Sequence, residues 1–236
     1  MFGNVSRREA IGLAVGATAV LAISSLTDVF GPADVSLGAN RPPFDGEERM
    51  ARDMPGSTSY FEINVDGEWK TAYCMDINWG NPANNSPYVC AGWATGGLGY
   101  IAAHGYDGVL ATAGYNRQVT NLAVWCLMVD GPGTVRSADG IASGFSVSAA
   151  NAEAAHTLLS DAVAFHNDPS RNVASAPENH AGTVWIPKNL PSGWPYSNPV
   201  SDRTISRGSN TSWTQRMLVP TKESYGHLIV RKRFEF

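Results

Sequence analysis

Three cysteines are the residues of this chain best able to carry covalent chemistry. They are Cys74, Cys90 and Cys126 in a sequence of 236 residues. An odd number of thiols leaves at least one outside any disulfide. Cys90 and Cys126 could pair with each other or remain two buried thiols. Cys74 ends an apolar-alternating segment just before a Gly-, Asn- and Pro-rich loop, a common location for reactive groups. Cys74 is therefore the leading candidate for chemistry.

One chemistry open to Cys74 is that of a secreted cysteine hydrolase or acyltransferase. Such an enzyme needs a thiolate, a base and a group that orients the base. His104, in a Gly-rich loop, is the best candidate for the base, and His180 is the next. This alternative predicts turnover and a thiol that alkylating reagents modify.

Metal and nucleic-acid chemistry are not favoured by the sequence. The chain contains neither a C-x-x-C nor an H-E-x-x-H motif, so we predict no metal site and no cofactor. The net charge of −4 gives no indication of a nucleic-acid partner.

An internal thioester is a third chemistry for a lone cysteine. The sulfur attacks the side-chain carbonyl carbon of a glutamine, and ammonia leaves. The reaction needs a glutamine held beside the sulfur and a site shielded from water. Gln118 and Gln215 are both candidate partners on residue type alone.

Three short motifs occur in a characteristic order along the chain. Tyr73-Cys74-Met75-Asp76 has the form aromatic–Cys–apolar, and 120–125 reads Thr-Asn-Leu-Ala-Val-Trp. At 215–219 a glutamine is followed two residues later by apolar residues. In this order, over roughly residues 58 to 220, the chain resembles the thioester domains of Gram-positive surface and pilus-tip adhesins.

The resemblance implies a Cys74–Gln215 thioester that forms autocatalytically and reacts once with a lysine amine of a host or extracellular-matrix protein. Such a protein is a covalent adhesin and not a turnover enzyme. The resemblance also implies a pocket wall formed by Thr120, Ala123 and Trp125, with Asn121 as a binding residue whose side-chain amide makes a hydrogen bond near the thioester. For the remaining side chains we expect shielding by Tyr73, orientation of the amine or loop capping by Asp76, and proton acceptance by His104.

Two positions depart from the pattern of the thioester domains. Asn121 stands where that family has glutamine, and Thr214 stands where an apolar residue precedes the bonding glutamine. A non-covalent surface-binding module that has lost the bond is therefore an alternative to the covalent adhesin.

The elements that must position these residues can be predicted from periodicity. Phe61, Ile63 and Val65 alternate with polar residues before an Asp-Gly turn, which predicts a β-hairpin over 59–73. Apolar residues at helical spacing predict a helix over 148–167. Strands with one clear helix between them predict an α+β fold with a β-rich body, a barrel or a sandwich.

Other segments give weaker patterns. We expect turns and close packing in 92–108, either a buried helix or a strand in 118–129, and a long irregular run over 171–212. Residues 213–219 are predicted to form a strand that ends before Pro220.

The N-terminus of the chain predicts export. Two arginines and a short apolar run have the form of a signal peptide, and we expect an exported protein, secreted or at the bacterial cell surface. The end of the chain resembles the first strand of a β-module that could anchor the domain to a cell wall or pilus. The predicted organisation is an export segment 1–33, a linker 34–57, a thioester domain 58–222, and a C-terminal strand or following module 223–236.

Overall fold

A computed structural model describes residues 47–54, 60–65, 67–77, 79–205 and 214–221. The predicted export segment and the predicted C-terminal module lie outside these residues. Within the described ranges, no helix combines the length and apolar character needed to cross a membrane.

Six antiparallel strands form a closed barrel in the order β1-β2-β3-β6-β5-β4. This architecture confirms the predicted α+β class with a β-rich body. The strands are β1 Glu48–Asp53, β2 Tyr60–Val65, β3 Glu68–Cys74, β4 Ser86–Trp93, β5 Gly182–Pro187 and β6 Met217–Pro220.

Four α-helices and one short 3₁₀ helix lie between β4 and β5 in the described chain. The long helix predicted over 148–167 is confirmed, and Ser148 caps it by accepting a hydrogen bond from the amide of Asn151. The helices are α1 Gly96–His104, α2 Arg117–Asp130, α3 Ala138–Phe145 and α4 Ala149–Asn167, and the 3₁₀ helix is Pro177–His180.

The predicted hairpin is formed by β2 and β3, with Val65 opposite Glu68. At its turn Gly67 has a φ of 85°, which a glycine adopts without strain. The side chain of Asn64 accepts a hydrogen bond of 3.1 Å from the Gly67 amide and so closes the turn.

The core has two main apolar clusters, and β3 contributes to both. Cys74 belongs to the cluster that contains Phe61, Ile63 and Trp185, which we call the barrel cluster. Tyr73 belongs to the cluster that contains the buried faces of the helices, which we call the helix cluster. Successive side chains of a strand point to opposite faces, so the thiol and the tyrosine ring lie on opposite sides of β3.

The short strand β6 lies between β3 and β5, although it comes last in the described sequence. Its register pairs Cys74 with Met217, and the amide of Met75 donates to the carbonyl of Arg216 at 3.0 Å. Gln215 lies two residues before Met217, so the barrel topology places it beside the end of β3.

Residues 48–53 and 96–104 differ from their sequence prediction. Residues 48–53, predicted as part of the linker 34–57, form β1 and pair with both β2 and β4. Only Ala51 of this strand is buried, so its sequence lacks the alternation that marks a strand. Residues 96–104, expected to be turns, form α1 despite three glycines, because close packing requires them. A Cβ at Gly99 would lie 2.4 Å from the carbonyl oxygen of Glu178.

The irregular run predicted over 171–212 contains the 3₁₀ helix and the barrel strand β5. In the segment predicted as a strand over 213–219, the strand begins at Met217, and Trp213 lies outside the described residues. The ambiguous segment 118–129 is helical and forms most of α2, whose residues 119–124 are all buried.

Candidate functional site

The side chains of Cys74 and Gln215 meet at one end of the barrel. The thiol donates a hydrogen bond to Gln215 Oε1 across 141 residues of sequence. It also lies 3.3 Å from the backbone carbonyl oxygen of Asp76. Cys74 is 4% exposed and Gln215 is 1% exposed. A sulfur atom and an amide carbon are therefore adjacent in a site that is nearly closed to water.

Burial raises the pKa of the Cys74 thiol to about 12. A weak hydrogen bond from the indole of Trp125 lowers this pKa in part, whereas the charge of Asp76 raises it. The Trp125 Nε1 has no partner of normal hydrogen-bond geometry among the described residues, so the indole acts on the thiol at longer range than a regular hydrogen bond. The thiol therefore stays protonated at neutral pH.

A buried ion pair holds the two strand ends that carry the site. Asp76 and Arg216 are both fully buried, and Arg216 Nη2 lies 2.6 Å from Asp76 Oδ1. The backbone amide and Nε of Arg216 also donate to the same carboxylate, at 2.8 and 3.0 Å. Since Asp76 follows Cys74 by two residues and Arg216 follows Gln215 directly, the pair fixes the sulfur relative to the amide.

The remaining polar atoms of this ion pair also have partners. Arg216 Nη1 donates to the carbonyls of Pro199 and Asp202 at 2.9 and 2.8 Å. The guanidinium stacks 3.6 Å from the ring centroid of Tyr196, whose hydroxyl donates to Asp76. A buried ion pair is tolerated when its hydrogen-bonding groups are satisfied, as they are here.

The motif residues of α2 all lie in buried or half-buried positions. Thr120 accepts a hydrogen bond from the Tyr106 amide at 2.8 Å, and Ala123 packs in the helix cluster. Trp125 is half-buried and contacts both the helix and the barrel clusters. Asn121 is 2% exposed, and neither its Oδ1 nor its Nδ2 has a hydrogen-bond partner among the described residues.

The hydrogen bonds of Tyr73 and Asp76 indicate what each side chain does at the site. Tyr73 donates a 2.8 Å hydrogen bond to the carbonyl of Tyr106 on the helix side of β3, and burial raises its pKa. The carboxylate of Asp76 is occupied by Arg216, Tyr196 and Thr204, which makes it a fixed anchor of the loop.

Among the residues that the structure describes, no histidine lies beside the Cys74 thiol. The ring of His104 stacks on Tyr100 and lies 3.6 Å from a carboxylate oxygen of Glu178. The ring of His180 packs edge-on against Trp93. No imidazole is a hydrogen-bonding partner of the Cys74 sulfur in the described ranges.

The other glutamine and the other thiols also lie elsewhere. Gln118 is exposed at the start of α2 and accepts a 2.5 Å hydrogen bond from Asn151. Cys90 is in the barrel cluster and Cys126 is in the helix cluster, both as buried thiols without a disulfide. In the described part of the chain, no group of three or more His, Cys, Asp or Glu side chains could hold a metal ion.

Three residues of the site were not found by sequence reasoning. Arg216 could have been recognised as a candidate, because it is a charged residue directly before an apolar strand. Tyr196 gave no signal, because its loop has no periodicity. Asn81 accepts a hydrogen bond from Gln215 Nε2 at 3.4 Å, and nothing in its local sequence distinguishes it from the neighbouring asparagines.

The fold and the site define an α+β protein with a closed antiparallel barrel whose end carries a buried cysteine–glutamine pair. Comparison with protein-family models, with curated proteins and with solved structures finds no match for this chain.

Replacing Arg216 should destabilise the fold strongly. We expect Arg216→Met to lower the free energy of unfolding by about 3–5 kcal/mol, because Asp76 is then a buried charge without its counterion. Arg52 is the matched control, since it pairs with Glu62 and stacks on Trp69 near the surface. Arg52→Met should cost no more than about 1 kcal/mol. Equal losses in urea denaturation of the two variants would contradict the role given to the ion pair.

The Asn121 side-chain amide has no hydrogen-bond partner among the described residues, so replacing it should affect stability less than replacing a buried asparagine that has partners. Asn179 is also buried, but its side chain makes hydrogen bonds to Gly96, Asn172 and Val173. Replacement by leucine changes shape equally at both positions. We expect Asn179→Leu to cost about 2–3 kcal/mol and Asn121→Leu to leave stability unchanged or raise it by about 1 kcal/mol. Thermal or urea unfolding measures both, and a comparable loss at Asn121 would show that its amide has a partner.

The raised pKa of Cys74 predicts the pH dependence of its alkylation. In a Gln215→Ala variant, which has no acyl partner, iodoacetamide should react with Cys74 slowly at pH 7. The rate should rise about tenfold per pH unit through pH 10, since the thiolate fraction grows up to a pKa of about 12. In urea the same thiol should reach a plateau near pH 9. Peptide mapping follows Cys74 alone, and a plateau near pH 9 in the folded variant would contradict the effect of burial.

Proposed function

We propose that this chain is a covalent adhesin domain in which Cys74 and Gln215 form an internal thioester. The observation that carries the proposal is the contact between the buried thiol and the buried amide at the end of the barrel. Fixed proximity is the main requirement of an exchange reaction that is otherwise slow, because amides are poor acyl donors. The order of the three sequence motifs supports the same assignment.

Bond formation uses only groups that are present at the site. The Cys74 sulfur attacks Gln215 Cδ, a C–S bond forms and the C–Nε2 bond breaks. The thiol proton passes to the departing nitrogen, which leaves as ammonia. Because the pKa of the thiol is about 12, proton transfer accompanies attack and no stable thiolate precedes it. The Asp76–Arg216 pair keeps the two reacting atoms together while this slow step occurs.

The same burial explains how the bond would persist. Water must reach Gln215 Cδ to hydrolyse the thioester, and this residue is almost fully enclosed. A thiolate whose conjugate acid has a pKa of about 12 is also a poorer leaving group than an exposed cysteine thiolate. Both effects slow spontaneous loss of the electrophile.

Coupling to a target releases the thiol again. The lysine ε-amine of a host or extracellular-matrix protein attacks Gln215 Cδ, an amide C–N bond forms, and the C–S bond breaks. One amine proton ends on the Cys74 sulfur, so atoms and charge balance. The amine must be unprotonated, and its ordinary pKa of about 10.4 makes coupling faster as pH rises. The reaction consumes the electrophile, so each molecule acts once.

The geometry favours this function over a cysteine hydrolase. A hydrolase needs a base within hydrogen-bond reach of the sulfur, and His104 and His180 make their described contacts with other residues. A low thiol pKa would also help such an enzyme, whereas burial raises the pKa here. We further propose that the domain is exported and acts at the bacterial cell surface, held to a cell wall or pilus by a following module.

Intact mass tests the bond directly. The folded domain should weigh about 17 Da less than its sequence, because ammonia has left, and methylamine should then add about 31 Da. Cys74→Ala and Gln215→Ala should both show the unmodified mass and no response to methylamine. Gln118→Ala is the matched control and should behave like the parent protein, since Gln118 contacts Asn151 and not the thiol.

A parent protein at its full sequence mass, with Cys74 open to alkylation under denaturing conditions, would overturn the proposal. That result would leave the two alternatives, a secreted cysteine hydrolase or acyltransferase and a non-covalent surface-binding module.

A further inference from the structure

The two polar atoms of the Gln215 side-chain amide contact opposite sides of the site, one buried and one exposed. Its Oε1 accepts from the Cys74 thiol inside the barrel end, and its Nε2 donates to Asn81 Oδ1 at 3.4 Å. Asn81 is exposed, whereas Gln215 and Cys74 are buried. The nitrogen of the amide therefore faces the side of the site that is open to solvent.

The loop that carries Asn81 is fixed against Gln215 by its backbone. The Gly80 carbonyl accepts a hydrogen bond of 3.3 Å from the backbone N–H of Gln215, and Gly80 also forms a β-bridge with Thr214. On the other side of Gly80, Trp79 is buried and stacks on Tyr196 at a centroid distance of 5.4 Å. The backbone that leads into the exposed Asn81 is thus held in place by its neighbours.

The reverse of thioester formation is attack of ammonia on the thioester, and attack by a primary amine is the same reaction with one hydrogen of the ammonia replaced by carbon. In formation, the Gln215 nitrogen leaves from a position next to Asn81 Oδ1. By microscopic reversibility, an amine that attacks Gln215 Cδ passes through the position from which ammonia departed. The neutral carbonyl oxygen of Asn81 can accept an N–H from either nitrogen while the nitrogen lone pair points at Cδ.

We propose that Asn81 is the amine-positioning residue of this site. It holds the departing ammonia during thioester formation and then holds the primary amine of the target during attack. The inference rests on the proposed thioester and adds the direction from which a lysine side chain approaches. Asn81 takes no proton and forms no bond, so it acts on the geometry of attack and not on the ionisation of the amine.

The test compares Asn81→Ala with Asn84→Ala, a control in the same exposed loop. The second-order rate of methylamine addition to the thioester form is measured by intact mass from pH 7 to 9. We expect Asn81→Ala to lower this rate about fivefold to tenfold, the effect of one lost hydrogen bond. Asn84→Ala should match the parent protein. The slope of rate against pH should be the same in all three proteins.

Asn81→Asp provides the rescue. Its carboxylate keeps an acceptor at the same place, so coupling should return to at least the parent rate, which an effect on loop structure alone would not produce. Formation of the thioester should be slower in Asn81→Ala and restored in Asn81→Asp.

The possible failures are distinguishable. If the parent protein forms no thioester, the proposed function fails and the role of Asn81 fails with it. If the thioester forms but Asn81→Ala couples as fast as the parent, only the positioning role is overturned. The positioning role is likewise overturned if Asn81→Asp is as slow as Asn81→Ala.

Discussion

The ion pair between Asp76 and Arg216 is the interaction on which the geometry of the site depends. Two charges are fully removed from water at the point where the end of β3 meets the start of β6. Their desolvation is costly, and only a complete set of hydrogen bonds offsets it. The backbone amide of Arg216, the hydroxyls of Tyr196 and Thr204 and two loop carbonyls supply that set. The network therefore links two strand ends and a long loop around Cys74 and Gln215.

The proposed chemistry requires two conditions, a fixed distance between the thiol and the amide and the exclusion of water. A thioester in water is lost by hydrolysis, and an amide does not exchange with a thiol unless the two groups are held together. The barrel end provides both conditions, because Cys74 is enclosed by the barrel cluster and Gln215 is held by the pairing of the adjacent backbone. The proposed thioester would thus be protected by the packing that positions it, apart from the side at Asn81 where the Gln215 amide nitrogen approaches solvent.

Local patterns in the sequence predicted the elements that follow simple periodicity, namely the hairpin of β2 and β3 and the helix α4. They did not predict β1, which has one buried residue and is held by its hydrogen bonds to two neighbouring strands. They also missed α1, whose glycines disfavour a helix and which exists because of tertiary packing. Within the candidate site, the motifs predicted Cys74 and Gln215. Their partners Arg216, Tyr196 and Asn81 are identified only by contacts between residues that are far apart in the sequence. Such contacts are set by the barrel topology and leave no local signal.

The position of β6 in the barrel has a consequence for the biosynthesis of the protein. This strand inserts between β3 and β5, yet it is translated after all the other described elements. Contacts of such long sequence separation form late in folding. An unfinished or misfolded chain consequently has no site at which the sulfur and the amide can react. The electrophile proposed here would arise only in a molecule that has closed its barrel, so the chain would carry no reactive acyl group while it is synthesised.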